Sequence, residues 1–116
     1  MDGMNNIGIR KIGIYVPKNL HTSRYIAEKS GIPEEVIREK FGINKKHKAD
    51  ENEHPSHMAV KAAQKTLDDF DPAEIDLIIY HGSEYKDYYL YNIAAKIQYE
   101  LGAKNAYAFE IHILCS

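Results

Sequence analysis

The apolar positions Ile7, Ile9, Ile12, Ile14 and Val16 form a β-branched run that stops at Pro17, which predicts a first strand over residues 7–16. Gly8 and Gly13 inside it suggest a bulge or a close backbone approach. Thr22 or Ser23 can cap a short helix through Lys29, ended by Gly31. Pro33 followed by Glu34 and Glu35 opens a second helix, which ends at Phe41-Gly42. Residues 43–48 read as a basic extended piece, and residues 49–55 as a polar loop.

Ala59, Ala62, Ala63, Thr66, Leu67 and Phe70 then fall at helical spacing and predict a helix over residues 56–70. Asp71-Pro-Ala-Glu74 has the order of a capping box and adds one more helical turn. A buried strand is expected at 75–80, then a polar loop from Gly82 to Asp87. Leu90, Ile93, Ala94, Ile97 and Leu101 mark one face of a helix that Gly102 ends. In the last stretch Tyr107, Phe109, Ile111 and Ile113 alternate, and Ala106, Ala108 and Leu114 keep the other face apolar. A strand buried on both faces has this pattern and sits inside a layered sheet. Strands alternating with helices in the second half predict a parallel α/β sheet with right-handed crossovers.

Composition narrows the classes little. Apolar residues at 44% and charged residues at 28% of 116 are ordinary for a soluble domain. A net charge of -2 gives no electrostatic reason to bind nucleic acid or an anionic membrane. No apolar run is long enough to span a bilayer. One cysteine, Cys115, cannot form an internal disulfide, so a reducing, cytoplasmic setting is expected. Four of the nine tyrosines lie between Tyr85 and Tyr91, which marks a pocket lining or an interface.

The candidate chemistry is a thiol at the end of a strand. A helix starting just after Cys115 would present unpaired N–H groups and a positive dipole end, both of which favour a thiolate. His54 and His57, with Asp50, Glu51 and Glu53 nearby, lack further anchored ligands, so no metal is assigned. Lys45-Lys-His-Lys48 fits either a solvated edge strand or a contact with an anion. His112 reads as a satisfied core residue, and Glu110 as a structural hydrogen-bonding or ion-paired group.

Four stretches carry a family resemblance: residues 7–17; Lys40-Phe-Gly-Ile43 with His47; Ile75-Asp-Leu-Ile-Ile79; and Ile97-Gln98, Leu101-Gly-Ala103, Ala108-Phe-Glu110 and Cys115 at their spacing. With these the sequence resembles the N-terminal part of β-ketoacyl-acyl carrier protein synthase III, in the thiolase-like superfamily. The implied fold is the first part of a layered α-β-α architecture with a mixed, largely parallel central sheet. Residues 1–116 are then a half-domain that stops just after the nucleophile position.

The resemblance makes Cys115 the nucleophile, which takes an acyl group from acyl-CoA before condensation with malonyl-acyl carrier protein. No cofactor is implied beyond acyl-CoA as substrate. Val36 and Lys40 stand where the family brackets the coenzyme A adenine with Trp and Arg, so that grip is altered here. Tyr91 stands where the family sends an aromatic across a homodimer interface to floor the partner's acyl pocket. Glu110 replaces the family's usual Asp, and His112, Ile113 and Leu114 are bulkier than its usual residues before the cysteine. The His and Asn that complete the family's catalysis lie downstream of its cysteine and are not among these 116 residues, so this chain alone is expected to be inactive. Two alternatives stay open: a hydroxymethylglutaryl-CoA synthase-like or polyketide-type acyltransferase, and a non-catalytic, truncated self-association module.

Overall fold

The computed structural model describes residues 7–83 and 86–112. The chain forms two compact units, one of residues 16–54 and one of residues 1–15 with 55–116.

In the smaller unit, β1 (Asn19–Thr22) pairs antiparallel with β2 (Lys45–Lys48), with Leu20 opposite His47 and His21 opposite Lys46. The basic piece therefore becomes a fully exposed ribbon strand. Its partner β1 carries Asn19, His21 and Thr22 around a single apolar residue, Leu20, and gives no apolar alternation. Helix α1 (Ser23–Ser30) starts where the Thr22 hydroxyl accepts the Tyr25 N–H, and ends at Gly31. Helix α2 (Glu34–Glu39) starts at Pro33 with two acids in its first turn. Ser23, itself buried, donates its hydroxyl to Glu34 over 2.8 Å and so ties the two helices together; Ile37 is the fully buried apolar residue of this unit.

In the larger unit, α3 (Pro55–Leu67) and α4 (Ile93–Leu101) pack on each other, and α4 covers one face of a two-stranded sheet. That sheet pairs β3 (Leu77–Gly82) with β4 (Tyr107–His112) in parallel, as the strand–helix–strand order predicts, with Ile78 opposite Ala108 and Tyr80 opposite Glu110. Val60, Ile93 and Ile97 form the buried cluster, joined by Ala59, Ile78, Tyr80, Tyr91 and Leu101. Asp71 caps the expected short turn at Pro72–Glu74, through its carboxylate and the Ala73 N–H.

The turn from α4 to β4 gives physical content to the spacing of Gln98, Gly102 and Ala103. Gly102 takes the left-handed conformation (φ 72°) that lets the chain leave the helix without Cβ strain. The Gln98 side-chain amide donates to the carbonyls of Ala103 (3.2 Å) and Ala106 (2.6 Å), satisfying groups next to two buried alanines.

Several expectations change. Residues 7–17 form no strand: within the larger unit the segment up to residue 15 lies against α3 and the turn that follows it, where Lys65 donates to the Ile14 carbonyl (3.1 Å), Lys11 pairs with Asp68 (3.2 Å) and Arg10 lies over the Phe70 ring. Apolar alternation marks a strand, but a strand also needs a neighbour for its backbone, and none is present among the described residues. The sheet is not buried on both faces. Ile78, Tyr80, Ala108 and Glu110 face the helices, whereas Leu77, Ile79, Tyr107, Phe109 and Ile111 are exposed on the other side. Leu90 is not part of α4: it sits in the preceding turn at φ 58°, and Asn92 caps the helix by accepting the Ala95 N–H.

Candidate functional site

Parallel α/β sheets place their sites at the carboxyl ends of the strands, where the following loops gather. Here those ends are Gly82 and His112, which lie opposite each other in the register. The loop after β3 contributes Lys86 and Asp87, two adjacent residues of opposite charge that anchor it to different elements. Lys86 donates to the Glu110 carboxylate of β4 over 2.6 Å and to the Tyr91 carbonyl over 3.1 Å. Asp87, with its side chain 1% exposed, accepts the Ser56 N–H over 3.1 Å and the Ser56 hydroxyl, and lies 3.5 Å from the Lys96 ammonium of α4. It thus satisfies an unpaired N–H at the start of α3, where a negative charge is also favoured by the helix dipole.

Glu110 is the centre of this cluster. It accepts from Lys86, from the Ile93 N–H at the start of α4, and from His112 Nε2 at 2.6 Å. Burial by itself would raise its pKa. The hydrogen bonds of Lys86, His112 and Ile93, with the positive charge of Lys86, outweigh that and hold the carboxyl down to about 2, from an ordinary 4.5. Tyr80, opposite Glu110, is shifted the other way: burial first, then the charges of Glu110 and Asp87, raise its phenol above the usual 10.0.

The sign of the resulting pH dependence follows from the depressed carboxyl. Glu110 contributes stability that is fully present above its unfolded pKa and is lost as pH falls through its folded value. Thermal melts should therefore show a falling midpoint between about pH 4.5 and pH 2, and Glu110→Gln should flatten that dependence. A Gln variant with the same acid profile as the parent protein would refute this role.

Of the residues singled out in the sequence, Cys115 lies outside the described residues, as do Tyr85, Ile113 and Leu114. Tyr91 lies within the cluster. It is half-buried against the core, with its ring edge-on to Tyr88 at 5.5 Å. Val36 and Lys40 are together in the other unit, Val36 on α2 and Lys40 capping its end, where the Val36 carbonyl accepts the Lys40 N–H over 3.0 Å; Val36 is half-buried and Lys40 exposed. His112 corrects its expectation: it is a partly exposed partner of Glu110 and not a core residue. Glu110 fills the structural, ion-paired role expected of it. The sequence reading missed the site roles of Lys86, Asp87 and Ser56; the only local signal for the first two is an adjacent lysine and aspartate in the loop four residues past the end of β3. Among the described residues no group of three or more His, Cys, Asp or Glu side chains is arranged to hold a metal, and no helix is long and apolar enough to cross a membrane.

No protein-family model matches the chain. It is 38% identical over 107 residues to a β-ketoacyl-[acyl-carrier-protein] synthase III of Ehrlichia canis, a match that covers 90% of this chain and 33% of that protein. Among solved structures it is similar to the priming β-ketosynthase of the R1128 polyketide pathway, with a TM-score of 0.81 and 28% identity over 89% of this chain and 31% of that one. It is similar too to the 3-oxoacyl-[acyl-carrier-protein] synthase III of Aquifex aeolicus, with a TM-score of 0.76 and 32% identity over 89% of this chain and 33% of that one. The chain thus spans about a third of the length of the curated relatives it matches, and its fold is similar to that of the matching third of these two synthases.

Proposed function

We propose that this homologue of β-ketoacyl-acyl carrier protein synthase III is the nucleophile-bearing, N-terminal portion of such a condensing enzyme. The observation that carries the reading is 38% identity across 90% of the chain. Cys115 acts as a thiolate: it attacks the thioester carbonyl of acyl-CoA, a new C–S bond forms, and the coenzyme A thiolate leaves. A malonyl thioester on acyl carrier protein then loses CO2, and its enolate attacks the acyl-cysteine and releases the Cys115 thiolate. Val36 and Lys40 contact coenzyme A, more weakly than a Trp and Arg pair would. Tyr91 floors the acyl pocket of a partner protomer in a homodimer. The setting is cytoplasmic. The 116 residues alone do not condense, because the His and Asn of the second step are not among them.

The similarity to the R1128 priming ketosynthase, whose TM-score is 0.81, favours a polyketide-type starter role as the second reading. It uses the same cysteine.

Intact mass after incubation with acetyl-CoA tests both. One acetyl group should appear on the parent protein and none on Cys115→Ala, and iodoacetamide should alkylate Cys115 several-fold faster than an ordinary thiol at pH 7. An unmodified Cys115 that also alkylates slowly would overturn the enzyme reading and leave the self-association module.

A further inference from the structure

We propose that Lys86 and Glu110 are positioning residues for Tyr91, and that their pairing sets the depth of the acyl pocket; this rests on the reading of Tyr91 given above. Three observations converge on the pair. The first is connectivity. Lys86 Nζ bridges the Tyr91 carbonyl (3.1 Å) and the Glu110 carboxylate (2.6 Å), while the same carboxylate holds the Ile93 N–H two residues beyond Tyr91. The backbone that leaves Tyr91 on its C-terminal side is thus tied at two successive points, its own carbonyl and the Ile93 N–H, to one residue of β4.

The second is anchoring at the loop's other end. Asp87 fixes the loop to the start of α3 and to Lys96, so residues 88–90 are a short span between two fixed ends. That span carries Tyr88, Tyr89 and Leu90, all exposed, and Leu90 holds a left-handed φ of 58° that a bulky residue adopts only when its surroundings impose it. The third is the chemistry of the contact. A partly buried ion pair adds little over a well-packed apolar pair in net stability, but it fixes direction, because the ammonium and carboxylate must meet their partners in one geometry. The Tyr91 ring packs on Ile93 and its neighbours from this fixed backbone. A shift of the Tyr91 carbonyl would move the ring, and with it the pocket floor.

The test uses Lys86→Met, Glu110→Gln and the conservative Lys86→Arg in the full chain, loaded in turn with acetyl-, butyryl- and octanoyl-CoA. Lys86→Met and Glu110→Gln should change the ratio of octanoyl to acetyl loading at Cys115 by about tenfold. Lys86→Arg, which keeps a positive N–H donor for both the carboxylate and the carbonyl, should keep that ratio within about twofold, and the iodoacetamide rate of Cys115 should stay within about twofold in all three. Equal slowing for every chain length, or Lys86→Arg failing as badly as Lys86→Met, would overturn the proposal by reducing the pair to a structural contact. If the unaltered protein loads none of the three thioesters, the condensing-enzyme reading fails. Amide exchange then decides whether the pair positions the backbone after Tyr91: Lys86→Met should speed exchange at Ile93, whose N–H the Glu110 carboxylate accepts, at least about tenfold while α1 and α2 are unchanged, and unchanged exchange at that amide would overturn it.

Discussion

At micromolar concentration the isolated 116-residue chain should sediment as a dimer or larger species. The outer face of the β3–β4 sheet presents Leu77, Ile79, Tyr107, Phe109 and Ile111, with Tyr107 80% exposed and Ile79 52% exposed. In the same unit Ile7 and Ile9 are more than four-fifths exposed. Apolar area removed from water is worth about 2.5 kcal/mol per 100 Å², so even a modest overlap of two such faces favours association. Contiguous apolar surface of this kind on a soluble chain marks a contact site or an aggregation liability. The β3–β4 pair adds to it, since among the described residues each strand has one backbone edge without a strand partner. Ile79→Lys with Phe109→Lys should shift sedimentation towards monomer without loss of helical signal. A parent chain that is monodisperse, monomeric and melts cooperatively would sink the idea.

Replacing Gly13 by alanine should cost about 1–3 kcal/mol, the range for overpacking a close contact. A methyl group there would lie 2.5 Å from the Ala62 carbonyl oxygen and 2.8 Å from the Thr66 N, and against the Thr66 hydroxyl. Two of these are backbone atoms of α3 and cannot turn aside, so the segment itself has to lift. Its contacts at Lys11, Ile14 and Arg10 would loosen with it, and trypsin should cut at Arg10 and Lys11 several-fold faster. Gly8 is the control. A methyl there meets nothing within 4 Å, so Gly8→Ala should change stability by no more than about 0.5 kcal/mol. Equal effects at the two positions would show that Gly13 does not seat the segment.

The helices were legible because their signals are local. A capping threonine at 22, the Pro33-Glu-Glu start, the apolar spacing of α3 and the glycine after α4 all act within a turn or two of the residues they govern. The spacing around Gln98 and Gly102 was legible as a pattern, and its reason, a side-chain amide closing a turn, is local as well. The strands were only half legible. Apolar alternation located β3 and β4, but it also predicted a strand at 7–16 that has no strand partner among the described residues, and it passed over the mostly polar β1.

Thus the sequence by itself determined the helices, the parallel β3–α4–β4 unit, and the paired role of Glu110, and it carries the resemblance from which the nucleophile role of Cys115 is proposed. The tertiary structure decided which face of the sheet is covered, which extended segment pairs, and that Lys86 meets Glu110 across 24 positions of sequence. The physical reason is the range of the bonds involved. A helix satisfies its backbone four residues away, so its own residues specify it. A strand's backbone bonds and a buried ion pair are completed by groups that only the packed chain brings near.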